Sequence, residues 1–147
     1  MKTFKELLTE LNACTPAVDW AGDTTIEQIV VTCERGDWLG WLADKIELDK
    51  RKCCLAAGHM ANQVRHLMKD ERSKTAVDLT IAYGEGKSTD EELEAARDAA
   101  WDAARAAAWA ADAAWAADAS SLKSSADIIR QYIGQDIINK VNELLSE

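Results

Sequence analysis

The sequence predicts an all-α protein: a single-domain helical bundle over residues 1–147, with about eight helices around a long central Ala-rich helix. Three observations support this prediction. The chain holds one Pro and one Phe, and it lacks the runs of β-branched residues that are typical of strands. The segment 99–119, AAWDAARAAAWAADAAWAADA, is Ala broken only by Trp, Asp and one Arg. Elsewhere, apolar residues recur at the three- and four-residue spacing of a helix face.

The first part of the chain is predicted to form two helices joined by a turn. Residues 2–13 have an amphipathic pattern, and Pro16 marks the turn that follows them. The stretch DTTIEQIVVTCERG is then predicted to be a helix that Thr24 or Thr25 caps and Gly36 ends. The inward face of this helix is predicted to consist of Ile26, Ile29, Val30 and Cys33.

Aspartates mark the start of the next two helices. Asp37 is the predicted N-cap of DWLGWLADKIEL, and Asp49 is that of KRKCCLAAGHMANQVRHLMK, because a short carboxylate accepts hydrogen bonds from free N–H groups. A further helix, RSKTAVDLTIAY, carries Val77 and Ile81 on its apolar face. No C-x-x-C spacing occurs, and free thiols are predicted for Cys14, Cys33, Cys53 and Cys54.

The long Ala/Trp/Asp helix is predicted over about residues 89–119, after the break at GEGK. Ser88 and Glu91 have the spacing of a capping box at its start. On a helical wheel its Ala residues occupy one half, so neighbouring backbones can approach closely there. The run SSLKSS (120–125) is expected to end this helix, and two shorter helices are expected after it.

The net charge of -9 is concentrated in the C-terminal part of the chain. Residues 88–147 carry 12 acidic and 5 basic side chains, whereas residues 1–87 carry 14 and 12. This balance predicts repulsion from nucleic acid and from anionic membranes, and it favours a basic protein partner. No segment approaches the ~20 apolar residues of a membrane span, and the start MKTFKELLTELNAC does not have the pattern of a secretion signal. A cytoplasmic location is therefore expected.

The polar half of the long helix is the predicted partner-binding surface. Its Trp side chains lie on or beside a stripe of acidic residues, opposite the Ala half. Exposed Trp is typical of binding hot spots, whereas in the alternative interpretation the indoles fill the grooves beside the helix. The candidate contact residues are Trp101, Trp109, Asp98, Asp102, Arg105 and Asp112.

A basic cluster is the alternative candidate site, for an anion such as a nucleotide. A pocket between helices that combined Arg72 with an exposed Trp would suit such a ligand. The ordinary interpretation is a solvated face, since Asp70 and Glu71 are interspersed. The candidate residues are Arg65, His66, Arg72 and Lys74.

The sequence predicts no catalysis, no metal site and no cofactor. GEGKST (84–89) ends like a phosphate-binding loop, but Ile81 stands where that motif needs its first Gly, and a helix precedes it. His59 and His66 are two helical turns apart, about 10 Å, which is too far for both to bind one ion. No Ser or Cys has the nucleophile-elbow pattern. We therefore expect that the protein is not an enzyme.

The segment DERSKTAVDLTIAYGEGKSTDEELEAARDAAWDAARAA resembles the Ala-rich immunity proteins of bacterial polymorphic-toxin loci and phage genomes. In that family an Asp-Arg-Pro segment leads into a short helix, an Ala-Trp-Ala-x-Gly turn and a long Ala-rich helix. This chain departs from the pattern at Ser73, Tyr83 and Lys87, and it matches at Asp70, Arg72, Ala76, Ala82, Gly86 and the run from Ala95. CERGDWLGWLADK (33–45) is similar to a segment of uncharacterised phage and gut-bacterial proteins of the same kind.

This resemblance covers about residues 33–119 and implies a small phage- or mobile-element-type protein. Such a protein would neutralise a toxin or a host-defence component by stoichiometric binding in the bacterial host cell. An acidic face suits a basic partner, for example a basic toxin or a nucleic-acid-binding defence protein. Two alternatives stay open: a sponge that sequesters a nucleotide immune signal in a basic and aromatic pocket, and a structural homo-oligomer.

Overall fold

The computed structural model describes residues 1–63, 65–107 and 119–147, the side chains of 99–107 and 119–121 excepted. Within these residues it contains eight α-helices and no strand, which confirms the predicted all-α single-domain bundle. A 3₁₀ turn, Arg65–Leu67, joins the fifth helix to the sixth. The helices are α1 (Phe4–Glu10), α2 (Thr15–Ala21), α3 (Ile26–Thr32), α4 (Gly36–Lys45), α5 (Lys50–Asn62), α6 (Glu71–Gly84), α7 (Asp90–Ala107) and α8 (Ala119–Leu145).

Helix α8 forms the centre of the main core, and it contacts α1, α3, α4 and α5. The described part of the Ala-rich segment, α7, packs along α6. Among the described residues, α8 therefore holds the central position that we expected for the Ala-rich helix. Its buried stripe repeats at helical spacing and consists of Ala126, Ile129, Ile133, Ile137 and Val141.

The run SSLKSS was predicted to lie between helices, but it is itself helical and belongs to the first turns of α8. Serine is a weaker helix former than alanine, yet most helical stability in proteins comes from tertiary packing. Here the packing partner is α4, which crosses α8 at the end of the run, next to Ser125 and Ala126. The two short C-terminal helices that we predicted are thus one helix of 27 residues.

Two boundaries near the N-terminus differ from the prediction. Pro16 lies in the first turn of α2, where a missing N–H costs no hydrogen bond. Gly36 begins α4 instead of ending α3, and Arg35, not Asp37, is the N-cap residue. A Cβ at Gly36 would lie 2.4 Å from the Cβ of Ser125, so only glycine allows α4 and α8 to approach this closely.

The predicted caps at Thr25 and Asp49 are confirmed. The Thr25 side chain accepts a hydrogen bond from the backbone N–H of Gln28, and the Asp49 carboxylate accepts from those of Arg51 and Lys52. The predicted inward face of α3 is also confirmed, since all its members are buried: Ile26, Ile29, Val30 and Cys33.

The capping box of α7 lies one residue later than predicted. The Thr89 hydroxyl accepts from the backbone N–H of Glu92 at 3.2 Å, and the Glu92 carboxylate accepts from the backbone N–H of Thr89 at 3.3 Å. Ser88 is buried, and its hydroxyl donates to the carbonyl of Leu79 at 3.3 Å. The pair Ser88 and Glu91 is therefore not the box, because Ser88 turns into the protein.

The GEGK segment joins α6 to α7, as expected for a turn followed by a helix cap. Arg51 of α5 donates to the carbonyl of Tyr83 at 2.6 Å and to that of Ser88 at 3.3 Å. The Tyr83 hydroxyl donates to Asp90 at 2.9 Å, and Lys50 pairs with the same carboxylate at 2.9 Å. These bonds attach the turn to α5.

None of the helices in the described ranges combines the length and the hydropathy that a membrane span requires.

Candidate functional site

A half-open cleft of about 490 Å³ lies between α1, α2, α3 and α4. Three tryptophans line it: Trp20 from α2, and Trp38 and Trp41 from α4. This volume is within the range of pockets that hold small ligands. We call it the tryptophan cleft. Arg35 and Asp37 also line it. Its floor consists of buried apolar side chains, which include Phe4, Leu8, Ile29, Leu39 and Leu42.

Local sequence explains how the three indoles reach the cleft. Trp38 and Trp41 are three residues apart in α4 and so share one face, while Leu39 and Leu42 point into the core. Trp20 lies in the last turn of α2, and the C-cap residue that follows this helix is Gly22, with a φ of +51°. This left-handed conformation favours glycine. Helix α2 packs mainly against α1 and forms an outer wall of the cleft.

The aromatic rings leave an accessible surface at the mouth of the cleft. The centroids of Trp20 and Trp38 are 5.9 Å apart, with the ring planes tilted by 55°. Trp20 is 45% exposed, which is unusual for so large an apolar side chain. The guanidinium carbon of Arg35 lies 4.3 Å from the ring centroid of Trp38, a cation–π distance. The mouth therefore presents the solvent-exposed indole of Trp20 and the indole of Trp38, on which the Arg35 guanidinium is stacked.

Arg35 and Asp37 form a two-bonded ion pair beside Trp38. Arg35 Nε donates to Asp37 Oδ1 at 2.8 Å, and Nη2 donates to Oδ2 at 2.6 Å. These bonds from Arg35 are the main reason why the pKa of Asp37 lies below its usual value, and they raise the pKa of Arg35. The nearby Cys33 is buried, and burial raises the pKa of its thiol.

The lowered pKa of Asp37 predicts a stability contribution that is lost in acid. A carboxyl with a lower pKa in the folded state stabilises the fold above its unfolded pKa of about 3.9, and this contribution disappears as the pH falls through the folded pKa. In Asp37→Asn this contribution is absent, so we expect the unfolding free energy to fall less steeply below about pH 4 than it does in the unmodified protein. Urea unfolding at several pH values measures this, with the exposed Asp44→Asn in the same helix as control. Identical pH profiles for Asp37→Asn and the unmodified protein would contradict the prediction.

The tryptophan cleft lies within a strongly acidic part of the chain. Residues 10–44 hold seven acidic side chains, and Arg35 is the one basic side chain among them. Two of these carboxylates, Glu10 and Glu34, pair with Lys2 and Lys123 from outside the stretch, and the remaining excess of carboxylates attracts cations and repels anions. The exposed acidic residues of this stretch are Glu10, Asp19, Asp23, Glu27, Glu34, Asp37 and Asp44.

Most of the acidic surface predicted on the Ala-rich segment lies outside the described side chains. Asp98 is described and is exposed, as are the acidic residues that precede it on α7, Glu91 and Glu94. Three predicted residues belong to α7 with their side chains outside the described set: Trp101, Asp102 and Arg105. Two lie outside the described residues: Trp109 and Asp112.

The cations predicted to bind a nucleotide are each engaged by a different carboxylate. Their ion pairs are Arg65–Asp78, Arg72–Asp70 and Lys74–Glu71. His66 is exposed on the 3₁₀ turn before α6. Because each positive charge is balanced locally, these residues do not form a strongly positive pocket. The combination of an arginine with an exposed tryptophan, considered as an alternative for Arg72, occurs at Arg35.

The two histidines lie in different environments. His59 of α5 stacks on Tyr132 of α8, with ring centroids 4.2 Å apart and the planes 5° from parallel. This contact joins two helices and gives His59 a structural role.

In the described part of the chain, no three His, Cys, Asp or Glu side chains form a group that could hold a metal ion.

The tryptophan cleft was not among the sites predicted from the sequence. One signal was present, since half of the six tryptophans fall at residues 20, 38 and 41, and Arg35 precedes Trp38 by three residues. However, Trp20 and Trp38 belong to separate helices. Only the packing of α1 to α4 brings them within 5.9 Å of each other.

Comparison of this chain with protein-family models, curated proteins and solved structures found no match. The resemblance to immunity proteins therefore stays a prediction. Function has to be inferred from the chemistry of this chain's own residues, and the tryptophan cleft is the described feature with the most specific chemistry.

Proposed function

We propose that the protein is a stoichiometric inhibitor that binds a basic protein partner through the tryptophan cleft and has no catalytic activity of its own. The observation that carries this proposal is the exposed Trp20 beside Trp38 and Arg35, within an acidic stretch of the chain. Tryptophan is enriched among the residues that dominate binding energy. The surrounding carboxylates accelerate encounter with a basic partner.

The packing beneath the cleft supports rapid and specific binding. The floor residues Leu39 and Leu42 are 2% and 4% exposed, so they are already ordered before a partner arrives. Binding then costs little ordering of side chains, which is the main benefit of a preorganised site. A partner side chain that enters the cleft contacts apolar floor atoms and indole rings together.

The partner belongs to the class that the resemblance implies, a toxin or a nucleic-acid-binding host-defence component in the bacterial cytoplasm. The exposed Glu91, Glu94 and Asp98 of α7 offer it a further acidic surface. The predicted contact residues of the Ala-rich segment, Trp109 among them, remain candidates for that surface. The nucleotide-sponge alternative has less support, because the predicted cations are paired with carboxylates and the charged side chains that line the cleft, Arg35 and Asp37, are paired with each other.

We expect Trp20→Ala to reduce partner recovery at least about 30-fold, since a hot-spot tryptophan contributes 2 kcal/mol or more to binding. The measurement is affinity capture from bacterial lysate, followed by the mass of the purified complex in solution. Val31→Ala is the matched control, because Val31 is 68% exposed on α3 and does not line the cleft. The complex should contain a basic protein at a fixed ratio.

Two results would contradict this proposal. If the unmodified protein captures no partner, or only a second copy of itself, stoichiometric inhibition of a basic protein is wrong and the homo-oligomer alternative gains support. If Trp20→Ala and Val31→Ala recover the same partner equally, the cleft is not the contact surface. The double change Trp109→Ala and Asp102→Lys then tests the surface predicted on the Ala-rich segment.

A further inference from the structure

We infer that the tryptophan cleft is a guanidinium site: an arginine side chain of the partner takes the place on Trp38 and Asp37 that Arg35 holds in the free protein. This inference rests on the proposed function and names the group that the cleft recognises. Arg35 is then an internal occupant of the site, and binding of the partner is an exchange of one arginine for another.

The first support is the geometry around Arg35. Its guanidinium carbon lies 4.3 Å from the centroid of Trp38, and two of its nitrogens donate to the two oxygens of Asp37 at 2.8 and 2.6 Å. A planar guanidinium is held in this way by stacking on one ring and by paired bonds to one carboxylate. The cleft thus contains an aromatic face and a carboxylate that together hold a guanidinium.

The second support is that the internal occupant can leave at low cost. The side chains of Arg35 and Asp37 are 43% and 46% exposed, and the two residues are only two positions apart. Ion pairs of this exposure contribute little net stability, because water solvates both groups when they separate. The cleft that Arg35 and Asp37 line has a volume of about 490 Å³, which is enough for an incoming side chain. The exposed ring of Trp20 lines the same cleft.

The third support is the charge of the surroundings, which selects against other ligands. The charged side chains that line the cleft are Arg35 and Asp37, so a carboxylate without its cation remains once Arg35 leaves, and a second cation is then attracted while an anion is repelled. A lysine ammonium cannot stack as a plane or bond both carboxylate oxygens in parallel. The cleft therefore discriminates in favour of arginine over lysine.

The test is a titration with ethylguanidinium, read from the tryptophan indole N–H signals in NMR spectra. Ethylammonium and the neutral ethylurea serve as comparison probes. We expect Arg35→Ala to bind ethylguanidinium about 2- to 5-fold more tightly than the unmodified protein, which is the range of a cation–π contact at an exposed site. Adding Asp37→Asn to Arg35→Ala should abolish this gain, since the carboxylate ligand is lost.

Lys123→Ala is the matched control for charge. Lys123 pairs at 3.8 Å with Glu34, the residue that precedes Arg35 in the sequence. Lys123→Ala therefore removes one positive charge, as Arg35→Ala does, but it leaves Arg35 stacked on Trp38. A gain in Arg35→Ala no larger than that in Lys123→Ala would overturn the inference, as would equal binding of ethylurea. Weaker binding by Arg35→Ala would also overturn it, because Arg35 would then be a contact residue. Arg35→Gln replaces Arg35→Ala should the alanine variant fail to fold.

These outcomes separate this inference from the proposed function. Partner capture that depends on Trp20, together with no response to ethylguanidinium in any variant, overturns the guanidinium site and leaves the inhibitor function supported. A response to ethylguanidinium with the expected variant pattern, together with no partner capture, supports the site and contradicts the function.

Discussion

Gly36→Ala is expected to lower the free energy of unfolding by about 3 kcal/mol or more, which is the upper range for overpacking a core. The added Cβ would lie 2.4 Å from the Cβ of Ser125, 2.8 Å from the nitrogen of Ala126 and 2.9 Å from the carbonyl carbon of Ser125. Two of these atoms belong to the α8 backbone, so no side-chain rotation relieves the contact. The helices α4 and α8 must separate, and urea unfolding measures the loss.

Gly40→Ala in the same helix is the control, and its effect should have the opposite sign. The nearest atom to a Cβ at Gly40 is Cδ1 of Ile129 at 3.8 Å, an ordinary contact. Alanine is a better helix former than glycine, so this change should stabilise the protein by about 0.5–1 kcal/mol. Equal effects of the two changes would mean that α4 does not cross α8 at Gly36.

Ile137→Ala is the second change with a large expected effect, a loss of about 2–5 kcal/mol in unfolding free energy. Ile137 is 0% exposed on α8, the helix that contacts α1, α3, α4 and α5. Truncating Ile137 leaves a cavity, and several helices would have to move to fill it. Because such a collapse is incomplete, the expected loss lies toward the upper end of that range. Thermal and urea unfolding both measure it.

Ile138→Ala is the matched control, because Ile138 is the same residue type one position later and is only partly buried. Its truncation exposes little new apolar surface, so a loss of about 1 kcal/mol is expected. If the two variants lost the same stability, the buried face of α8 would be assigned incorrectly. A large loss at Ile138 alone would mean that α8 is rotated about its axis.

The local chemistry of the sequence was sufficient to predict that the elements are α-helices and to predict two of their N-caps. Thr25 and Asp49 cap their helices as predicted, because a cap needs only a short polar side chain two or three residues before a free N–H. The inward face of α3 was likewise readable from spacing alone. These features depend on residues within one turn of each other.

The incorrect predictions at residues 120–125, Gly36 and Ser88 share a cause that lies in distant contacts. The serines of 120–125 stay helical and Gly36 begins a helix because α4 and α8 cross at this point. Ser88 is not a cap because its hydroxyl bonds the carbonyl of Leu79 inside the protein. In each case a tertiary contact outweighs a local preference of a few tenths to about 1 kcal/mol.

By itself, the sequence determined an all-α bundle, an acidic surface and the positions of six tryptophans, since composition and short-range spacing carry that information. Only the tertiary structure decided that α8 is the central helix among the described residues and that Trp20, Trp38 and Arg35 meet in one cleft. The physical reason is that helix–helix packing joins residues far apart in the chain, and the sterics of single contacts such as Gly36 against Ser125 select which helices meet.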